Sequence, residues 1–225
     1  MSTLSNVTTR RGESNPPSIG FTPDAFPEAK CSKTGVSVRY APAPDKRWYV
    51  FRVSYGREDK ASDFMVEDGT YTYIAKKIAE KYVDGKRKRY LQALIPNLLF
   101  AYTTEGKAEE YVNNTPAISY LSYYYNHFKT DDYEKNPPLT IPDEEMTRFI
   151  QATCNMNKHL LFVQPSQCHF KEGEQVRVID GSFAGVEGRV ARVAGQQRVV
   201  ISLSSIGLIS TAYIPTAFLR PIDTD

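Results

Sequence analysis

Six of the 13 glycines fall between Glu172 and Ile222, at positions 173, 181, 185, 188, 195 and 207. The segments between them, Gln175–Ile179, Gly188–Val193, Arg198–Leu203, Thr211–Ile214 and Phe218–Ile222, are short and rich in β-branched residues. Glycine at that spacing interrupts helices and supplies the backbone conformations that tight turns require. Five short strands in this order read as a small β-barrel. Asp180-Gly181 makes a tight turn, and Gly188 allows a reversal where a side chain would clash. Phe183 lies between two glycine-bearing turns and is expected at an exposed loop tip, where no core position would need it.

The preceding part mixes strand and helix patterns. Trp48 to Val53 is aromatic and β-branched, a strand pattern. From Arg57 to Val66, residues Ala61, Phe64 and Met65 share one helical face opposite Lys60 and Asp63. Asp68-Gly69 ends that helix, Tyr71–Ile78 alternates as a strand, and Asp84-Gly85 marks a hairpin turn. Tyr90–Tyr102 reads as one long apolar strand, interrupted at Ile95-Pro96-Asn97 by a bulge or a sheet edge. Thr104–Val112 is a short helix with Thr103 or Thr104 as cap. Ile118–Phe128 is a tyrosine-dense strand. Pro142–Ile150 opens a helix with three acids at its positive end. The expected class is therefore an α+β N-terminal domain, antiparallel sheet with helices, followed by a small all-β barrel of SH3-like size. The expected boundaries are a proline-rich mobile tail at 1–45, the α+β domain at 46–163, a linker at 164–169 and the barrel at 170–225.

Composition narrows the classes of activity. With 28 Lys+Arg against 26 Asp+Glu, the net charge of +2 gives no global pull toward nucleic acid, so such binding must be local. Its only concentrated cation is Lys86-Arg87-Lys88-Arg89. Three cysteines make a sparse, odd set, unlike a secreted disulfide scaffold. No apolar run reaches the ~18 residues that span a bilayer, and residues 1–20 lack a signal-peptide core; a soluble, cytoplasmic chain is expected. Phosphate loops, dinucleotide fingerprints and nucleophile elbows are absent from the sequence. Cys154, His159, Cys168 and His169 lack the paired spacing of a zinc site. The expectation is a non-enzyme without cofactor or metal.

The run Gly173-Glu174-Gln175-Val176-Arg177-Val178-Ile179-Asp180-Gly181-Ser182-Phe183-Ala184-Gly185-Val186-Glu187-Gly188-Arg189-Val190 resembles a KOW module. Trp48-Tyr49-Val50, then Gly56-Arg57-Glu58, the basic run before Leu94–Ala101, and Pro142–Phe149 resemble the N-terminal (NGN) domain of NusG-type transcription elongation and antitermination factors. Asn97 in place of the usual Gly, and the wording Val178–Gly188, are most like specialised paralogues of the UpxY and RfaH kind. The resemblance implies a bacterial factor that docks on the RNA polymerase clamp and promotes processive transcription of target operons. It also implies a KOW domain that recruits a partner such as the ribosomal NusE protein or Rho. The alternative is a ribosome-associated or general RNA-binding KOW protein.

Residue roles follow from the same resemblance. Ile95, Leu98 and Phe100 match the polymerase-binding pocket, and alternation sets Leu98 and Phe100 on one sheet face, expected to be an exposed apolar patch. Lys86, Arg87, Lys88 and Arg89 stand either as nucleic-acid contacts or as a solvated hairpin face. Arg57 and Lys60 match the region that specialised members turn to the non-template DNA strand, where Tyr55 could stack on a base. Phe183 and Ile206 match the KOW partner surface; the rival reading packs them on the N-terminal domain, as in members that hide this surface until loaded.

Overall fold

The computed structural model describes residues 31–32, 35–36, 43–130, 134–203 and 205–222. The expected tail at 1–45 lies for the most part outside these residues. Within it, β1 (Cys31–Ser32) and β2 (Gly35–Val36) pair antiparallel.

The N-terminal sheet is built on β3 (Lys46–Val53), whose aromatic and β-branched residues bury both faces. Tyr55 and Gly56 turn the chain with positive φ into α1 (Glu58–Glu67), which buries Ala61 and Met65. β4 (Tyr71–Tyr73) follows, then a two-stranded ribbon of β5 (Lys76–Val83) and β6 (Lys86–Ala93). Asp84 (φ 52°) and Gly85 (φ 71°) form the two-residue turn of that ribbon. β7 (Leu98–Thr104) pairs along the whole of β3. In α2 (Glu105–Asn113), the Lys107 amide donates to the Thr104 hydroxyl, which caps the helix. After β8 (Leu121–Tyr123) and β9 (Thr140–Ile141), α3 (Asp143–Thr153) carries Asp143, Glu144 and Glu145 in its first turn. The sheet order is β4-β7-β3-β8, with β9 also on β3.

Three expected strands are shorter than their sequences suggest, and tertiary competition explains each. Tyr71–Ile78 breaks after Tyr73, because the chain leaves the central sheet for the ribbon. Tyr90–Tyr102 is not one bulged strand but the end of β6 and the whole of β7, in different sheets. Asn97 makes the change of sheet at φ 62°, a conformation Asn tolerates better than most non-glycine residues. Its amide donates to Glu58 Oε1 at 2.7 Å and its carbonyl accepts from the Val53 amide at 2.9 Å. Ile118–Phe128 forms strand only at Leu121–Tyr123, because β8 and β9 share one edge of β3. Beyond it, Tyr125 bridges to Pro138 instead.

The C-terminal region is a six-stranded antiparallel sheet in the order β10-β14-β13-β12-β11-β15. Its strands are β10 (Leu161–Val163), β11 (His169–Val178), β12 (Glu187–Val193), β13 (Gln196–Leu203), β14 (Gly207–Tyr213) and β15 (Leu219–Pro221). Gly188 does not reverse the chain; it sits inside β12, where a Cβ would lie 2.6 Å from the Val200 carbonyl oxygen. Arg198 is buried, and its Nη1 donates to the Thr211 carbonyl at 2.8 Å and the His159 carbonyl at 3.3 Å. That guanidinium ties β13 to β14 and to the segment entering β10. Burial holds its pKa below the usual arginine value.

Candidate functional site

The two faces of the N-terminal sheet lead to different cores. Cross-strand neighbours in β3 and β7 place Tyr49, Phe51, Leu99 and Ala101 on one side, packed with Ala61 and Met65 of α1 and Ala108 and Tyr111 of α2. On the other side lie Trp48, Val50, Leu98, Phe100 and Tyr102, with Phe149 of α3 5.3 Å from the Phe100 ring. This second cluster does not end at the domain. It continues through α3, which packs against β13, into Val176, Val178, Phe183, Val199 and Ile201 of the C-terminal sheet.

The alternation of Leu98 and Phe100 against Leu99 is therefore as expected, but the exposed patch is not. Ile95 and Leu98 are each 6% exposed and Phe100 is 1% exposed. Phe183 is not at an exposed tip either: it is 4% exposed and belongs to the same cluster, with half-buried Ile206 packed against it. Sequence periodicity identifies an apolar face but not what covers it. Here the cover includes the second domain, more than 70 residues downstream. Polar contacts mark the same junction. Asn155 Nδ2 donates to the Ser182 carbonyl at 2.7 Å and Asn157 Nδ2 reaches Ser182 Oγ at 3.5 Å, beside Phe183. Ser205 Oγ lies 3.5 Å from Asn126 Oδ1.

The cationic candidates lie at the start of α1 and on the ribbon. Arg57 and Lys60 are exposed. The Arg57 guanidinium stands 4.9 Å from the Tyr120 ring and 5.6 Å from the Tyr55 ring. Tyr55 is 86% exposed and held at φ 64°, so the turn presents its ring to solvent at some backbone cost. An ion pair of 2.5 Å from Lys76 to Asp59 ties the base of the ribbon to this end of α1. Lys86, Arg87, Lys88 and Arg89 are all exposed on β6.

A cleft of about 510 Å³ on the sheet face that carries α1 and α2, opposite Leu98 and Phe100, was not legible in the sequence. Tyr49, Tyr123, Glu105, Glu109 and Arg47 line it from β3, β8 and α2. Burial and the nearby phenolic and carboxylate groups push the Tyr123 hydroxyl up to about 12. Strands and helix must pair before these residues meet, and no local pattern links them.

Against this geometry, residues 46–150 match the family model described as transcription termination factor NusG. Residues 46–150 are a NusG-type domain. A curated relative, the transcription termination/antitermination protein NusG of Thermus thermophilus, is 23% identical over 175 residues, covering 69% of this chain and 89% of its own length. The NusG-type domain begins at β3 and ends within α3, so it contains the ribbon, Arg57 and the Leu98–Phe100 face. The all-strand region beyond it agrees with the expected KOW-like domain. Among the described residues no helix is long and apolar enough to cross a membrane.

Proposed function

We infer that the chain is a transcription elongation and antitermination factor that binds RNA polymerase through the Ile95, Leu98 and Phe100 face of its NusG-type domain. The observation that carries this reading is the family match over the domain that contains that face. The activity is steric and electrostatic: an apolar face docks on the clamp, while Arg57, Lys60 and the ribbon meet nucleic acid in the cleft. The KOW-like sheet recruits a second protein, of the kind that NusE or Rho exemplify, through the surface around Phe183 and Ile206.

Both docking surfaces are buried in one shared cluster. Polymerase binding through this face therefore requires the sheets to part, and parting exposes Phe183 and Ile206 at the same moment. Polymerase and the partner protein are thus coupled, because each stabilises the open form against the closed one. This is the behaviour of a specialised factor that is loaded at chosen operons rather than at every gene.

Binding of the full chain to core RNA polymerase tests the reading. Leu98→Asp sets an unpaired carboxylate in the closed cluster, so it perturbs folding and docking together. Asn155→Asp is the cleaner variant. It replaces the donor to the Ser182 carbonyl by an acceptor and weakens the closed junction from the surface. The expected result is measurable polymerase binding by wild type, tightened several-fold by Asn155→Asp. Absence of binding by both chains, to core enzyme and to a paused elongation complex alike, would exclude the proposed docking.

A further inference from the structure

The β5–β6 ribbon has two unlike faces. In an antiparallel pair, residues directly opposite each other point the same way. Tyr82 pairs with Arg87 and Glu80 with Arg89, so both arginines share a face with the Glu80 carboxylate. Arg87 bonds Glu80 Oε2, and Arg89 Nε lies 3.3 Å from Oε1. The Arg87 hydrogen bond is the main influence holding the Glu80 carboxyl below its usual range. Both guanidinium groups pair with Glu80 across the two strands, although their side chains stay exposed.

The other face is different in kind. Lys81 stands directly opposite Lys88, and Lys86 opposite Val83, while Lys77 lies toward the base. Among the described residues none of these four lysines has an acidic partner. Lys81 leans on the Tyr90 ring, with Nζ 5.3 Å from its centre. Like charges directly opposite destabilise a strand pair, so the Lys81–Lys88 arrangement works against the ribbon unless an anion bridges it. Same-face neighbours such as Lys86 and Lys88 lie about 7 Å apart along a strand. Phosphates of one DNA strand recur every ~3.4 Å of duplex axis, so two such lysines can meet phosphates of the same strand.

We propose that the face bearing Lys77, Lys81, Lys86 and Lys88 holds the phosphate backbone of a nucleic acid, and that Arg87 and Arg89 are internal braces rather than contacts. The proposal rests on the reading of the chain as a factor that works beside nucleic acid. It changes which residues of the basic run do so, adding Lys77 and Lys81 from the partner strand. An acidic polypeptide offers the same sign of charge; the reading of the chain as a factor that works beside nucleic acid is what favours phosphate.

The test is DNA binding by the full chain without polymerase, using a short duplex, its single strand and polyglutamate as probes over a range of salt. Lys81→Gln/Lys88→Gln is compared with Arg87→Gln/Arg89→Gln, which removes the same charge. At roughly 0.9 per phosphate contact on duplex and 0.7 on single strand, the lysine pair is expected to lose nearly 2 from the salt slope on duplex, or about 1.4 on single strand. The arginine pair is expected to keep the wild-type slope. Equal losses in both variants, or a loss confined to the arginine pair, would overturn the assignment, as would lysine-dependent binding of polyglutamate without binding of DNA. Where the arginine pair unfolds, Glu80→Gln serves instead. It frees both guanidinium groups and is expected to steepen the slope; an unchanged slope overturns the bracing role. A chain that binds core polymerase but fails here loses only the ribbon assignment.

Discussion

At the residue scale, Asp68 shows how a surface carboxylate is recruited to hold two elements together. It sits just after α1, where it accepts from Tyr111 at 2.7 Å and pairs with Lys107 at 2.7 Å, both from α2. Thr70 completes the set at 2.7 Å from the Tyr111 hydroxyl. The Lys107 and Tyr111 hydrogen bonds hold the Asp68 carboxyl below its ordinary value of 3.8. A carboxyl whose folded pKa is lowered stabilises the fold above its unfolded value, and that contribution is lost as pH falls through the folded one. Asp68→Asn is therefore expected to melt below wild type at pH 7, with the gap closing as pH falls below about 4. Thermal melts of both chains across that range check it. A gap independent of pH would mean that the charge of Asp68 contributes nothing.

At the scale of elements, the close approach of β12 and β13 depends on one missing side chain. A Cβ on Gly188 would lie 2.6 Å from the Val200 carbonyl oxygen and 2.8 Å from Val199 Cγ1. Backbone does not yield as a flexible side chain does, so β12 would have to shift against its neighbour. Gly188→Ala is expected to cost about 1–3 kcal/mol, the range for overpacked sites, as read by denaturant titration. The sequence marks this glycine clearly, but as a turn residue. Its true reason is the pairing of Arg189 with Val200, a strand register that only the folded sheet creates. The same holds for Asn97. The Ile95-Pro96-Asn97 break suggests a bulge or a sheet edge, whereas the positive φ of Asn97 moves the chain from the ribbon to the central sheet.

At the scale of the whole molecule, a single buried cluster joins the NusG-type domain to the C-terminal sheet. Domains that share a core lose it together, so calorimetry of the full chain is expected to show one cooperative transition. Truncating Phe183 to Ala is expected to cost about 3–5 kcal/mol, the range for a buried Phe, and to lower that transition. Two separate transitions in wild type would show that the shared cluster does not couple the domains.

Local chemistry determined much of this protein from its sequence alone. The aromatic strand at Trp48, the Thr104 cap, the acids opening α3, the Asp84-Gly85 turn and the glycine-spaced strands all follow from residue preference and period, which act over a few positions. The same alternation sorted Leu98 and Phe100 from Leu99. What covers each face was decided elsewhere. Burial of Ile95, Leu98, Phe100 and Phe183 depends on contacts between segments far apart in the chain, and no pattern within a segment encodes its distant neighbour. The two faces of the ribbon stand between these cases. Four consecutive cations are visible in the sequence, but only the pairing of β5 with β6 commits Arg87 and Arg89 to Glu80 and leaves Lys86 and Lys88 open.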